Sequence, residues 1–409
     1  MYSDMQSAYR RRYSTETALL RVYNDILMAL DEGCEVILVL LDFSSAFDTI
    51  NHSMLLSRLH DRFGITGTAL EWFKSYLSSR SVSTRIGSTV SPVSPLVHGV
   101  PQGSVLGPVL FTLYVAPLED VIYAHGINCI MYADDSQLYT ILKHPQSDTI
   151  QSVEHCVNDI KIWSTQNNLF LNDGKTEVIH ISSKFRSASL FAGISIGGYN
   201  IAPVAEVRNL GVTFDKNLCM DTHVTNICKS AFLAIRDIGR IRRYLDQSTT
   251  ERLVHAFVSS RLDYCNSILL GLPAYLIDRL QKVQNTAARL VSRSKRSDSV
   301  TPILKKLHWL PVSKRIEFKI LLLTYKCLHG LAPKYLSDLL KPYKPSRLLR
   351  SSSKLLLEEP GSRTSTFGKR SFSLAAPSLW NNLPDTVKHA ISLASFKSQL
   401  KTFLFTRNA

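Results

Sequence analysis

Hydrophobic and polar positions alternate along the chain with periods that change from segment to segment. Residues 14–32 place six apolar side chains on one side of a helical projection, and Gly33 follows, so this stretch predicts an amphipathic helix. The next run, CEVILVLLDF, is apolar until Asp42. A continuous apolar run of this length is typical of a strand that is covered on both faces.

Further elements follow from the same patterns. The stretch INCIMYADDSQLYTIL reads as two strands that meet at Asp134 and Asp135. Beyond residue 220 the pattern is nearly all helical, and Ser248 with Glu251 forms a capping box that predicts the start of one helix. The remaining predicted elements are helices at 54–63, 68–77, 147–166 and from 106 onward, strands at 81–87 and 175–182, and a strand or hairpin at 207–215. Strands and helices mixed before residue 215 indicate an α+β fold.

Charge divides the chain into two unlike halves. The net charge is +15, yet residues 1–200 carry 14 Lys and Arg against 19 Asp and Glu, whereas residues 201–409 carry 34 against 14. A basic half of this kind favours a polyanionic partner, although solvated helix faces would give the same composition.

Seven cysteines are scattered without a C-x-x-C pair and without a preceding secretory signal. This usage predicts a reducing, nuclear or cytoplasmic setting. The chain also contains no continuous apolar run of about 20 residues, so we expect no membrane-spanning helix and no membrane partner.

Three carboxylates stand at the ends of predicted strands. Asp42 ends the first strand, and Asp134 and Asp135 stand where the two later strands meet. If the strands are neighbours, the carboxylates converge and repel one another unless a divalent cation binds. Mg²⁺ prefers such oxygen ligands, and pairs of Mg²⁺ ions serve phosphoryl transfer. The alternative is an ordinary hairpin turn, in which Asp is also common.

Five ordered motifs carry a specific resemblance. LDFSSAFDTINH (41–52), GVPQGSVLGPVLFTLY (99–114), MYADDSQLY (131–139), LNDGKTEV (171–178) and NLGVTFD (209–215) resemble the palm motifs of reverse transcriptases. Their wording is similar to that of non-LTR retrotransposons of the long interspersed element type. The segments 260–273, 280–291, 307–336 and 379–390 resemble the region that follows the polymerase in the same group.

The resemblance implies roles for individual residues. Asp42, Asp134 and Asp135 would form the catalytic and metal-binding cluster for two Mg²⁺ ions, with the carbonyl of Phe43 as a further ligand, and Lys175 would act on the leaving pyrophosphate. Phe47 would exclude a 2′-hydroxyl, Gln102 and Gly103 would contact the incoming nucleotide and template, and Leu210 with Gly211 would grip the primer. The candidate nucleic-acid ligands are Lys229, Arg236, Arg240, Arg242 and Arg243.

The resemblance also implies an architecture and partners. It predicts a right-hand polymerase with a partial fingers helix (1–35), a palm (36–215), a helical thumb (216–298) and a mostly helical, loop-rich C-terminal region (299–409). The activity would be RNA-directed DNA polymerisation with an RNA template, a DNA primer and dNTPs.

One departure from the family pattern supports a second hypothesis. Family members carry more protein before the first palm strand, whereas about 40 residues precede Asp42 here. We therefore expect a chain truncated at its N-terminus, whose fingers and endonuclease segments a separate part of the element could supply. The alternative to an active polymerase is a catalytically inactive remnant that binds nucleic acid.

Overall fold

The computed structural model describes residues 3–44, 46–101, 103–143, 147–185, 191–344 and 355–407, and it contains both helices and strands, which confirms the predicted mixed class. The α-helices are α1 (Thr15–Glu32), α2 (His52–Asp61), α3 (Gly67–Leu77), α4 (Gly107–Val115), α5 (Leu118–Ala124), α6 (Ser147–Gln166), α7 (Asp221–Ile241), α8 (Gln247–Val254), α9 (Ser260–Asp263), α10 (Ala274–Ser292), α11 (Val300–Lys306), α12 (Val312–Leu328), α13 (Lys334–Ser337), α14 (Phe372–Asn381), α15 (Asp385–Lys388) and α16 (Leu393–Thr406).

All strands of the described residues lie before residue 216. They are β1 (Glu35–Leu41), β2 (Phe43–Ser44), β3 (Ser81–Val82), β4 (Arg85–Ile86), β5 (Thr89–Val90), β6 (Ser94–Pro95), β7 (Asn128–Tyr132), β8 (Asp135–Leu142), β9 (Phe170–Leu171), β10 (Glu177–Ile181), β11 (Ile194–Ile196), β12 (Tyr199–Ile201), β13 (Glu206–Asn209) and β14 (Val212–Asp215).

Contacts group the chain into two compact units. The first unit consists of the described residues of Met1–Ser14, Val36–His180 and Ala188–Val204, and the second of those of Thr15–Glu35, Ile181–Ser187 and Ala205–Ala409. The predicted fingers, palm, thumb and C-terminal segments stay predictions. These names describe roles in polymerisation, which the division into two units does not test.

A four-stranded sheet in the order β10-β1-β8-β7 organises the first unit. Val36 to Val39 of β1 are almost completely buried, as the apolar run predicts. β7 and β8 form an antiparallel hairpin whose last pair is Tyr132 with Asp135, so the loop is Ala133 and Asp134. Ala133 has a φ of 58°, a conformation that L-residues rarely adopt.

Helices cover this sheet with a single hydrophobic core that includes side chains of α2, α4, α5 and α6. Helix α4 is the helix predicted from residue 106, and Pro108 occupies its first turn, where the missing N–H breaks no helical hydrogen bond. The predicted strand at 81–87 is confirmed only in part, because it is not continuous. The segment splits into β3 and β4. β4 pairs with β5, and β3 pairs with β6 on either side of them, and neither β3 nor β4 buries a side chain.

The second unit begins its C-terminal part with the β13–β14 hairpin and continues as helices. Helix α10 packs against α7, α8 and α12. The capping box predicted at Ser248 is wrong, because α8 begins earlier: Asp246 is the N-cap, and its carboxylate accepts a hydrogen bond of 2.6 Å from the Thr249 N–H.

The C-terminal helices of the second unit have their own aromatic core. Tyr325 of α12 stacks on Phe396 of α16 at 4.2 Å between ring centroids, and Trp380 of α14 is completely buried nearby.

Asp31, in the last turn of α1, accepts hydrogen bonds from the backbone N–H groups of Arg363 and Thr364. In the described part of the chain, no helix is both long and apolar enough to cross a bilayer.

Candidate active site

Neighbouring strands bring the three predicted carboxylates together. Asp42 follows the last residue of β1, Asp134 lies in the two-residue loop, and Asp135 opens β8, which is the neighbour of β1 in the sheet. Ninety-two positions separate Asp42 from Asp134 in the sequence. The convergence therefore depends on strand pairing and not on local sequence.

The electrostatics of the cluster show how closely the carboxylates interact. The pKa of Asp135 is raised to about 6, first by partial loss of hydration and then by the charges of Asp134 and Asp42, although the residue as a whole stays exposed. The pKa of Asp134 is also raised, first by burial and then by the charge of Asp42. Both shifts mean that full ionisation of this cluster is unfavourable without a cation.

Lys175 supplies a positive charge to the cluster. Strand β9 pairs with β2, directly after Asp42, and the Asn172 N–H donates a hydrogen bond of 2.9 Å to the carbonyl of Asp42. A 3₁₀ turn, Asp173–Lys175, follows. It places the Lys175 Nζ 3.0 Å from Asp42 Oδ2. The positive charge of Lys175 offsets part of the rise in the pKa values of Asp134 and Asp135.

The cluster has the chemistry of a cation site. Among the described residues, no group of three His, Cys, Asp or Glu side chains is already arranged to hold a metal ion. Nevertheless, the donors here are carboxylate oxygens, the type that Mg²⁺ prefers, and their charges oppose one another. The donor set therefore fits a divalent cation.

The two predicted phenylalanines have different surroundings. The ring of Phe43 is 4% exposed and belongs to the core, so its backbone alone could face a ligand. Phe47 is half-buried, and its ring stacks on Phe111 of α4 with 4.5 Å between centroids. α4 thus fixes the position of the Phe47 ring.

The loop of the predicted nucleotide contacts is attached to the segment after Asp42. The Val100 N–H donates a hydrogen bond of 2.9 Å to the carbonyl of Phe47. A Cβ on Gly99 would lie 2.8 Å from the carbonyl oxygen of Asp48, so glycine permits this close approach. Gly103 has a φ of 80°, whereas Gln102 lies outside the described residues.

Gln6 is a residue of this site that the sequence analysis missed. It is 2% exposed, and its Oε1 accepts a hydrogen bond of 3.0 Å from the N–H of Ala133, the loop residue with positive φ. The backbone on either side of Gln6 bonds to Met131 of β7, so residues 5–7 extend the sheet. A polar, non-periodic stretch gave no signal for this arrangement.

In the second unit, Leu210 and Gly211 form the loop of the β13–β14 hairpin. Both have positive φ, 42° and 84°, the pattern of a type I′ hairpin turn. The Tyr264 hydroxyl donates a hydrogen bond of 2.7 Å to the carbonyl of Leu210, and a Cβ on Gly211 would lie 3.2 Å from the Tyr264 ring. The turn is therefore supported by an aromatic side chain 54 residues away.

Comparison with known proteins identifies the family. The profile described as reverse transcriptase (RNA-dependent DNA polymerase) matches residues 1–214, which is more than half of the chain. The chain belongs to the reverse transcriptase family. It is 28% identical to the RNA-directed DNA polymerase from mobile element jockey of Drosophila melanogaster, over 54% of this chain and 24% of that protein.

A second curated relative and one solved structure are also similar to this chain. The probable RNA-directed DNA polymerase from transposon X-element of D. melanogaster is 27% identical, over 70% of this chain and 32% of the relative. The chain thus spans about a quarter to a third of these curated relatives. Among solved structures, apo telomerase from Candida tropicalis matches with a TM-score of 0.41 and 12% identity, over 82% of this chain and 56% of that one.

The predicted nucleic-acid ligands of the chain lie on and just after α7. Lys229, Arg236, Arg240 and Arg243 are exposed. Arg242, in contrast, is 8% exposed, and its guanidinium donates hydrogen bonds to the carbonyls of Leu245, Leu290 and Val291. Arg242 therefore holds the C-terminal end of α10, a geometry that does not favour its predicted contact with nucleic acid.

Proposed function

We propose that this protein is an RNA-directed DNA polymerase that extends the 3′ end of a DNA primer on an RNA template. The observation that supports the proposal most strongly is the convergence of Asp42 with Asp134 and Asp135 in a member of the reverse transcriptase family. Converging carboxylates of this kind suit metal-assisted nucleotidyl transfer.

In this proposal Asp42, Asp134 and Asp135, with the carbonyl of Phe43, would hold two Mg²⁺ ions. Bound Mg²⁺ would supply charge stabilisation for the attacking and leaving oxygens of the transfer. Lys175 lies next to these carboxylates, and its ammonium group can donate a proton to the leaving pyrophosphate or neutralise its charge. Gln102 and Gly103 are the proposed contacts to the incoming nucleotide and the template.

Phe47 is the proposed filter for deoxynucleotides. Its ring is fixed on Phe111, so it cannot swing away from a sugar placed above it without losing the stacking contact. We expect Phe47→Val to increase incorporation of ribonucleotides relative to deoxynucleotides. Phe63→Val, at a half-buried position elsewhere in the same core, is the control, and equal sugar selectivity in both variants would contradict the role.

The polymerase subdivisions are part of the same proposal. The palm would comprise residues 36–215, preceded by a partial fingers helix in 1–35 and followed by a helical thumb in 216–298 and the C-terminal region 299–409. Leu210 and Gly211 would contact the primer strand. Lys229, Arg236, Arg240 and Arg243 would contact phosphates, largely without regard to sequence.

The partners and cellular setting complete the proposal. The partners are an RNA template, a DNA primer and dNTPs, and other segments of a longer element could contribute fingers or endonuclease. We place the protein in the nucleus or cytoplasm, where its seven free cysteines would stay reduced.

The experiment is dNTP incorporation by the purified chain on an RNA template annealed to a DNA primer, with Mg²⁺. We expect incorporation that is lost in Asp134→Ala and retained in Asp61→Ala, which removes an exposed carboxylate of α2. Absence of incorporation by the unmodified chain, together with salt-sensitive binding of the same duplex, would reject the polymerase and leave a nucleic-acid-binding remnant.

A further inference from the structure

A groove of about 390 Å³ lies within the second unit, along one face of α12. Four of its lining residues share the spacing of a single helix face, i, i+3, i+4 and i+7: Arg315, Phe318, Lys319 and Leu322. Helix α16, which packs on α12, contributes Lys397 and Lys401. We call this surface the basic groove. Its volume lies in the range of ligand pockets, about 300–1,000 Å³.

The apolar part of the basic groove consists of Leu310, Phe318 and Leu322. Leu310 is 6% exposed, whereas Phe318 and Leu322, one turn apart on α12, are each half-buried. Half-buried apolar side chains that line a groove keep hydrocarbon in contact with water, so an apolar group that covers them is stabilised by its own burial and theirs. The groove can therefore hold an apolar anchor.

Lysines of two helices crowd together at the basic groove. Lys319 of α12 lines it, as do Lys397 and Lys401 of α16. Lys326, seven positions after Lys319, feels the same charges: burial lowers its pKa, and the positive charges of Lys397 and Lys319 lower it further. Like charges thus repel one another here, and an anionic ligand would relieve that repulsion.

The charge left for a ligand is on α16. Two other cations of the basic groove have partners within the fold, in the ion pairs Arg315–Asp263 and Lys319–Glu16. Lys397 and Lys401, in contrast, are exposed, and among the described residues no carboxylate forms an ion pair with either. They are one helical turn apart, so both ammonium groups can reach one ligand.

The composition of the basic groove favours a peptide over a nucleic-acid strand. Sequence-independent binding of a strand stacks bases on exposed aromatic rings, whereas the ring here is half-buried and its neighbours are leucines. Arg315, whose planar fork suits phosphate, is already paired with Asp263. The Asp263 carboxylate also lines the groove, where it opposes phosphates but can accept hydrogen bonds from peptide N–H groups.

We propose that the basic groove binds an acidic segment of a partner protein. An apolar side chain of that segment packs on Phe318 and Leu322. Carboxylates beside it pair with Lys397 and Lys401. Exposed ion pairs contribute little singly and are screened by salt, so binding needs both the anchor and the charges. The site is separate from the proposed polymerase chemistry, whose carboxylates belong to the first unit.

The first experiment tests the two halves of this recognition with the purified full chain. Binding of a fluorescent peptide, DEELFDEED, is followed by fluorescence anisotropy. A second peptide, DEESSDEED, keeps every acidic residue and lacks the apolar anchor. We expect salt-sensitive binding of the first peptide and binding several-fold weaker of the second. Equal affinity for both peptides, or no binding of the first, would overturn the proposal.

The second experiment locates the binding on the chain. K397Q/K401Q removes the two exposed lysines of the groove, and we expect affinity for DEELFDEED to fall about fivefold. K341Q/K344Q removes the same charge from two exposed lysines outside the groove lining and should bind like the unmodified chain. An equal loss in both variants would show general attraction to a basic protein and would contradict a defined site.

A nine-nucleotide RNA, measured with the same variants, distinguishes the rival ligand. We expect K397Q/K401Q and K341Q/K344Q to bind this RNA equally well. If K397Q/K401Q instead weakens RNA binding more than K341Q/K344Q and leaves peptide binding unchanged, the groove serves nucleic acid and the proposal is rejected.

A third measurement needs no variant, in case K397Q/K401Q does not fold. A carbodiimide joins carboxylates of bound DEELFDEED to amines that they contact, and mass spectrometry identifies the linked lysines. We expect links at Lys397 or Lys401, because both line the basic groove and are exposed. Links spread evenly over exposed lysines elsewhere would overturn the proposal.

Discussion

Lys175 and Asp42 are 133 positions apart in the sequence, and the ammonium nitrogen of Lys175 lies 3.0 Å from a carboxylate oxygen of Asp42. The contact results from a backbone attachment, because Asn172 donates to the Asp42 carbonyl three residues before the lysine. The segment from Asn172 to Lys175 is thus attached to the backbone of Asp42, and it places the ammonium group of Lys175 beside the Asp42 carboxylate. In the metal-free protein this ion pair offsets part of the repulsion among the three aspartates.

Removal of this lysine should change the titration of the aspartates. Because the charge of Lys175 lowers the pKa values of both Asp134 and Asp135, Lys175→Ala should raise the pKa of Asp135 above its present value of about 6. The measurement is side-chain carboxyl ¹³C NMR against pH without metal. Lys161→Ala, which breaks an exposed ion pair with Asp173, is the control and should leave both aspartates unchanged. An unshifted Asp135 in the Lys175 variant would show that the ion pair does not form in solution.

Stability of the metal-free protein should depend on Asp135. Its pKa in the folded protein, about 6, lies above the ordinary value of 3.8, so the folded state favours the protonated acid. This contribution to stability is fully present below pH 3.8 and is lost as the pH rises through 6. The difference in unfolding free energy between the unmodified chain and Asp135→Asn, measured by urea denaturation, should therefore become less favourable to Asp135 from pH 4 to pH 7.

Magnesium should reverse this pH effect. A cation bound to the ionised cluster removes the repulsion, so millimolar Mg²⁺ at pH 7 should stabilise the unmodified chain more than Asp135→Asn, which keeps only Asp42 and Asp134. If the difference in unfolding free energy between the unmodified chain and Asp135→Asn does not change with pH in the absence of metal, the raised pKa of Asp135 is contradicted.

Gln6 should be needed to hold the loop of the β7–β8 hairpin. Gln6→Ala leaves the Ala133 N–H without its partner, and we expect a loss of about 1–3 kcal/mol in unfolding free energy from this group. Because Ala133 precedes Asp134, incorporation of dNTP should fall through kcat more than through KM. Gln151→Ala, an exposed position on α6, should change neither quantity. A fall in stability without a change in kcat would make Gln6 a structural residue only.

Gly211 should resist substitution for two separable reasons. Alanine at a positive φ costs about 1–2 kcal/mol at any such position, and Gly330, with a φ of 63° and open space around its Cβ position, isolates that term. Gly211→Ala should lose more stability than Gly330→Ala, because its Cβ would meet the Tyr264 ring at 3.2 Å. Equal thermal shifts in the two variants would mean that the hairpin moves away from Tyr264 freely.

The sequence by itself determined much of the local structure. The apolar run before Asp42 forms a buried strand, the period of residues 14–32 corresponds to α1, and the two strands predicted around Asp134 and Asp135 are β7 and β8. These features depend on hydrophobic spacing and on turn chemistry, which are encoded within a few residues. The five ordered motifs also sufficed to name the family that the profile comparison then established.

Tertiary structure decided which distant residues meet. Strand order placed Asp42 beside Asp135, a buried glutamine near the N-terminus was found to hold Ala133, and His223 was buried with one ring nitrogen unpaired among the described residues. Arg242 is a further example. Its position in a basic run predicted contact with nucleic acid, whereas the structure buries its guanidinium against three backbone carbonyls. Pairing and burial between remote segments depend on how whole elements pack, and no local pattern carries that information.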